Sequence, residues 1–153
     1  YITRPTHESE TFYSISEKKF HHMKTNEAFC FSWHIYDTYY GVPQNILEYV
    51  NAGHICIANV SRSIIPQAKK KFPMLKVIVV KVPLEITMQR IQTRARESKD
   101  SKIFQQRIAR AQKKQIFPLG DWVVDNSGDL DTTTTKLLAY FDNFVIPMKN
   151  DLK

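Results

Sequence analysis

The run Lys76-Val77-Ile78-Val79-Val80-Lys81-Val82, closed by Pro83-Leu84, decides the architecture. Its apolar character is nearly continuous rather than alternating, and that pattern belongs to a strand covered on both faces, as in a parallel sheet. Pro83 stands where a helix begins, and helical periodicity follows over 84–94. A second run of the same kind lies at 54–60, and alternating patterns at 29–35 and 122–125 complete the strands. Helices are expected at 16–23, 44–52, 65–72, 84–94, 102–115 and 132–145, with Ser16 able to cap the first and Pro43 and Gly53 bracketing the second. Strand alternating with helix implies an α/β architecture with right-handed crossovers. No internal repeat interrupts the pattern, so a single domain over 1–153 is expected.

Composition agrees with one compact domain: 42% of the 153 residues are hydrophobic and 12% aromatic, enough for one substantial core. Cys30 and Cys56 each fall inside an apolar stretch and read as small buried hydrophobes rather than a disulfide pair. No apolar run reaches the roughly 18 residues of a membrane span. No charged, apolar, small-residue leader opens the chain either, so a cytoplasmic location without a membrane partner is expected. The net charge of +7 is concentrated. Between Arg90 and Lys114, a run of lysines and arginines is opposed only by Glu97 and Asp100, which accounts for the whole excess. Charge gathered in this way implies a polyanionic partner, whether nucleotide phosphates, a sugar phosphate or nucleic acid. Nucleic acid ranks last, because the segment has no nucleic-acid-binding motif and aromatics are not interleaved with its charge. His21 and His22 are adjacent rather than four apart and lack a nearby cysteine or carboxylate cluster, so no metal site is expected there.

A more specific signal comes from several shorter strings. They are Tyr1-Ile2-Thr3-Arg4-Pro5; Phe31-Ser32-Trp33-His34 with Tyr39-Tyr40-Gly41-Val42; Asn59-Val60-Ser61-Arg62 with Pro66-Gln67-Ala68; the lid-like residues 90–97; and Asp125-Asn126-Ser127-Gly128-Asp129-Leu130. In this order and spacing they resemble the ribose 1,5-bisphosphate phosphokinases, a branch of the guanylate-kinase-like fold. The resemblance implies a P-loop kinase-like, mostly parallel sheet flanked by helices, with 90–114 as the lid and its basic helix. It also implies transfer of the γ-phosphoryl group of ATP, with Mg2+, to the small phosphorylated substrate ribose 1,5-bisphosphate, giving 5-phosphoribosyl 1-diphosphate in phosphonate catabolism. Phosphoryl transfer depends mainly on alignment and on cations facing the transferring group, so the arginines are the residues to follow.

By resemblance Arg90 and Arg94 belong to a lid over ATP, in catalytic roles. Their spacing of four puts both on one helix face, where two guanidinium forks can converge on phosphate oxygens. Arg96, Arg107 and Arg110 follow as further nucleotide-side cations, with Asn126 bordering the adenine pocket. On the acceptor side the resemblance places Arg4, preset by Pro5, and Tyr40, at the end of an expected Tyr39-Tyr40-Gly41 turn, whose phenol can donate to a phosphate oxygen. Ser61 and Arg62 follow the 54–60 run, which would set them at the carboxyl end of a strand, where open α/β sheets bind ligands. Glu10 matches the first residue of a Glu-Asn-His string common in the sugar-phosphate branch, whereas Thr11 and Phe12 depart from it. Ala95 likewise stands where the family commonly has glycine between lid arginines. Ser32 and Asn59 are neutral where guanylate kinases carry acids that read guanine.

A kinase of this kind also uses a Gly-x-x-x-x-Gly-Lys-Ser/Thr loop, whose backbone N–H groups cradle phosphates. The glycines here are Gly41, Gly53, Gly120 and Gly128, and lysine follows none of them. The expectation is a chain that begins after the first strand, the loop and the first helix of the fold. Such a chain is inactive as it stands and leaves a sheet edge open to self-association. Two alternatives stand beside it: a guanylate kinase acting on GMP, and a non-catalytic guanylate-kinase-like binding module.

Overall fold

The computed structural model describes residues 1–6, 10–94, 102–112 and 120–146. The chain forms two compact units, Tyr1–Leu75 and Lys76–Lys153.

In the first unit Ser16 accepts a hydrogen bond from the Lys19 amide at 3.2 Å and so opens helix α1, Glu17–Thr25. α1 buries Phe20, only 1% exposed, and the Phe20 ring stacks on Phe29 at 4.7 Å. Phe29 begins strand β1, Phe29–Ile35, which pairs antiparallel with β2, Thr38–Pro43. The register sets Ser32 opposite Gly41, Trp33 opposite Tyr40 and His34 opposite Tyr39. Tyr36 turns the chain between the strands with a φ of 54°, a left-handed conformation uncommon for a bulky residue. After β2 come a short helix α2, Ile46–Asn51, a 3-10 turn at Arg62–Ile64 and helix α3, Ile65–Lys71. A bulge between Phe29 and Phe31 sends both Cys30 and Phe31 into the core beside Ile64 and Ala68, with Trp33, Val42 and Phe72 packed around them.

Two expectations for this unit are corrected. Tyr39-Tyr40-Gly41 is strand rather than turn, and Gly41 is there for space: a Cβ at that position would lie 2.5 Å from the Phe29 ring. Residues 54–60 do not form a strand. Ile55 and Ile57 are 42% and 75% exposed, and Cys56 is an exposed thiol rather than a buried one. The run has the composition of a covered strand, but a strand exists only beside a hydrogen-bonded neighbour, and no ladder engages it among the described residues.

In the second unit β3, Ile78–Lys81, leads through helix α4, Leu84–Arg94, and helix α5, Lys102–Gln112, to β4, Trp122–Asp125. β3 and β4 pair in parallel, Ile78 opposite Trp122 and Lys81 opposite Asp125, as the near-continuous apolar run at 76–82 predicts. Val79 and Val124 are buried, and α4 packs on α5. Asp129 accepts from the Thr132 amide at 2.7 Å, so helix α6 starts two residues before the expected position and spans Leu130–Tyr140. It continues as a π-helical turn at Phe141–Val145. Trp122 stacks flat on Tyr140 at 4.3 Å, fixing α6 against β4. The architecture is α/β, with its parallel pair at β3–β4 and an antiparallel hairpin at β1–β2. No helix among the described residues is long and apolar enough to cross a membrane.

Candidate functional site

The first unit presents Arg4 from a backbone held on both sides. Tyr1 N donates to Gly41 O, and Gly41 N donates to Tyr1 O, each at 2.8 Å. Ile2 N donates to Tyr13 O at 3.0 Å, and Ile2 O accepts from Ile15 N at 3.1 Å. Thr3 N donates to Tyr39 O at 3.1 Å while Tyr39 N donates to Thr3 Oγ1 at 2.9 Å. Residues 1–3 thus lie as an extra short strand between 13–15 and β2. Ser14 Oγ donates to the Arg4 carbonyl at 2.8 Å, so the main chain is fixed at the arginine itself.

The Arg4 side chain is held as firmly. Nη1 donates to Glu10 Oε2 at 2.7 Å and Nη2 to Glu10 Oε1 at 3.0 Å, a two-pronged ion pair. Nη1 also donates to the Pro5 carbonyl at 3.2 Å, and the guanidinium carbon lies 4.8 Å over the centre of the Phe12 ring. The hydrogen bond to Glu10 raises the Arg4 pKa most, desolvation takes back part of that rise, and Tyr40 adds a smaller rise. The Tyr40 ring lies parallel to Trp33 at 5.3 Å, which sets the direction of its phenol. Of the five guanidinium N–H groups, Glu10 and Pro5 engage both on Nη1 and one on Nη2. Among the described residues this leaves the Nε–H and the second Nη2–H for Tyr40 and an incoming anion.

Ser61 and Arg62 sit elsewhere in this unit's chain path than expected. They open the 3-10 turn that Ile64 anchors in the core, and Ser63 Oγ donates to Ser61 Oγ at 3.1 Å. Ser61 is half-buried and Arg62 exposed. The argument from the carboxyl end of a strand falls with the strand at 54–60.

In the second unit Arg90 projects from α4 and donates through Nη1 to the Asn126 carbonyl at 2.8 Å, with Nη2 3.5 Å from the Gly128 carbonyl. The structure therefore joins Arg90 to Asn126, through the asparagine's main chain. The turn they share is shaped by Asp125, whose Oδ1 accepts from Ser127 N at 2.9 Å. The Ser127 side chain, and after it this backbone bond, hold the Asp125 carboxyl below the usual carboxylate range, and the Thr132 side chain and amide do the same for Asp129. Ile86, Gln89, Arg90, Thr93 and Ser127 line an open recess of about 440 Å³. Arg107 and Arg110 are half-buried on α5, and neither is unpartnered. Arg94 closes α4, but its side chain, and Arg96 altogether, lie outside the described residues.

Sequence reasoning missed Phe12, Thr3 and Ser14 as supports of Arg4, and Gly128 as a partner of Arg90. The aromatic two residues after Glu10 was a readable signal for Phe12. The others act through backbone geometry that no residue type announces.

The fold defines the class. The crystal structure of guanylate kinase from Anaplasma phagocytophilum matches with a TM-score of 0.64 at 18% identity, covering 92% of this chain and 71% of that one. The chain therefore has the guanylate kinase fold. No protein-family model matches it, but sequence relatives narrow the class. The ribose 1,5-bisphosphate phosphokinase of Rhizobium etli is 30% identical over 139 residues, covering 89% of this chain and 68% of that protein. The corresponding protein of Pseudomonas paraeruginosa is 31% identical over 128 residues, covering 83% and 68%. The chain belongs to the ribose 1,5-bisphosphate phosphokinase family and is, by that membership, a phosphotransferase.

Proposed function

We propose that this chain carries the acceptor site and lid of an ATP-dependent kinase that converts ribose 1,5-bisphosphate to 5-phosphoribosyl 1-diphosphate. In that reaction the bond from the γ-phosphorus to the β–γ bridging oxygen breaks, a bond to a 1-phosphate oxygen forms, and ADP leaves. The observation that carries the reading is the Arg4–Glu10–Tyr40 group in a member of this family. A guanidinium with one edge fixed and the other beside a phenol suits a phosphate monoester, which accepts planar, two-pronged hydrogen bonds.

Arg4, Glu10 and Tyr40 form the core of the acceptor site, and Ser61 and Arg62 extend it. Arg90 and Arg94 act as lid arginines, with Arg96, Arg107, Arg110 and Asn126 on the nucleotide side. The recess beside Arg90 and Ser127 is within the size range of small-molecule sites. It fits part of a nucleotide; the described residues offer no lysine-bearing glycine loop for the β- and γ-phosphates. ATP supplies the phosphoryl group when bound. Among the described residues no group of three or more His, Cys, Asp and Glu could hold a metal, so Mg2+ enters this reading on the nucleotide's own phosphates. Ser32, half-buried in β1, and Asn59, exposed, are neutral, which favours a sugar phosphate over guanine. The cytoplasm is the expected site of action.

The test is a phosphotransfer assay with ATP and Mg2+, comparing ribose 1,5-bisphosphate with GMP. Preference for GMP would overturn the substrate assignment and leave the fold intact. The 153-residue chain alone is expected to show no appreciable turnover, and robust turnover would contradict the role given to the glycine loop.

A further inference from the structure

A carboxylate in a phosphate-binding site opposes its ligand, because like charges repel. Charge complementarity alone therefore predicts that removing Glu10 tightens the site. The geometry points the other way. Glu10 takes one edge of the Arg4 guanidinium through two bonds of 2.7 and 3.0 Å. Phe12 covers one face at 4.8 Å, the Pro5 carbonyl holds Nη1, and Ser14 fixes the Arg4 main chain. With an edge and a face occupied, the guanidinium cannot turn without breaking both bonds to Glu10, and it is held within reach of the Tyr40 phenol. An unrestrained arginine would have to give up rotamer freedom at the moment of binding.

We infer that, given the acceptor-site role proposed above for Arg4, Glu10 is a positioning residue that strengthens phosphate binding by orienting Arg4 while making no contact with the ligand itself. Phe12 has a place in the same device: it supplies the face against which the guanidinium rests, although it departs from the family's usual residue. Glu10 thereby works against the electrostatic sign of its own charge.

Calorimetric titration of ribose 5-phosphate into the full chain tests this with four variants, each first checked for an unchanged thermal unfolding profile. Arg4→Ala should weaken binding at least tenfold, and Glu10→Gln, which removes a negative charge at constant shape, should weaken it by roughly threefold to fivefold. Glu10→Asp keeps the charge and should recover part of the loss. The Arg4→Ala/Glu10→Gln double variant should bind no worse than Arg4→Ala alone, since Glu10 acts only through Arg4. Wild-type or tighter binding by Glu10→Gln, with Arg4→Ala still impaired, overturns the positioning role and leaves the acceptor site standing. Unimpaired binding by Arg4→Ala removes the acceptor site and the inference with it. A double variant clearly weaker than Arg4→Ala would show that Glu10 meets the ligand directly, which also overturns the inference.

Discussion

Replacing Gly41 with alanine probes the contact on which the first unit and its arginine both depend. A Cβ at Gly41 would lie 2.5, 2.6 and 2.9 Å from three carbons of the Phe29 ring, whereas carbon atoms rest at about 3.5–4.0 Å. The overlap is therefore on the order of 1 Å and something must move. The ring has little room to retreat: it stacks on Phe20 at 4.7 Å and meets Tyr1 at 5.8 Å, and Phe20 is 1% exposed. The strand is equally restrained, since Gly41 exchanges two 2.8 Å bonds with Tyr1. Overpacking of this kind costs about 1–3 kcal/mol, which should lower the urea midpoint by roughly 1 M for a small unit.

The two tryptophans fall one in each unit, Trp33 and Trp122. In a Trp122→Phe background, Trp33 fluorescence reports the first unit alone. Adding Phe29→Leu to Gly41→Ala should return part of the loss, with a coupling of at least about 0.5 kcal/mol, as expected for residues in contact. Ribose 5-phosphate affinity should fall with Gly41→Ala, because Tyr40 lies on the same strand and Tyr1 and Thr3 are hydrogen-bonded to that strand. Equal stability of Gly41→Ala and wild type, or strict additivity with Phe29→Leu, would refute the reasoning.

Other consequences can be measured directly. Under native conditions a thiol reagent should modify Cys56 rapidly and Cys30 only after denaturation; two reactive thiols in the folded chain would contradict the buried bulge. Arg90→Lys should destabilise the second unit by about 1 kcal/mol in chemical unfolding, because an ammonium cannot span the Asn126 and Gly128 carbonyls as the guanidinium fork does. Unchanged stability would mean that Arg90 does not brace that turn. Asp125 and Asp129 have lowered folded-state pKa values, so their contribution is present above the usual carboxylate range and is lost as pH falls through the folded values. Asp125→Asn and Asp129→Asn keep an acceptor at each turn and should flatten the acid limb of the stability curve; an unaltered limb would count against these bonds.

The sequence made the locally determined parts of the fold legible. β1 and α4 fall within their expected bounds, and β4 coincides with its alternating run, because periodicity and caps are read from neighbouring residues. The ends that moved are instructive. α6 begins at Leu130 rather than 132 because the Asp125–Asp129 string contains two acidic residues that each accept a backbone N–H, and only the fold decides which one caps the helix. β2 was hidden by Gly41, which reads as turn punctuation yet serves a close approach to a ring on the neighbouring strand. Residues 54–60 misled in the opposite direction, since apolar composition expresses a preference for cover without supplying the neighbour. In the site, Arg4, Glu10 and Tyr40 were each legible as residues, but the bonds among them were not. Arg90 and Asn126 were likewise visible singly, while their pairing spans 36 positions and goes through a main-chain carbonyl.

Whether Glu10 helps or hinders a phosphate is decided by two opposed terms of similar size. Ordering an arginine forfeits about 2 kcal/mol of rotamer freedom, and the ion pair with Glu10 meets much of that loss during folding. Against it, a unit charge and a dianion about 7 Å apart in water-like surroundings repel by about 1 kcal/mol. The pair is partly exposed, at 28% and 23% of the two side chains, so this repulsion is open to screening. The orientational gain is less so, because two short hydrogen bonds and the Phe12 face hold the guanidinium besides the pair's net attraction. Raising ionic strength from low salt to about 0.15 M, where the Debye length is about 8 Å, weakens the Arg4–phosphate attraction alike in wild type and Glu10→Gln. It relieves the repulsion only where Glu10 is present. The binding penalty of Glu10→Gln should therefore widen as salt is added. A penalty that narrows would mean that salt loosens the Arg4–Glu10 pair faster than it relieves the repulsion, so that the pair does not hold Arg4 in place for the ligand.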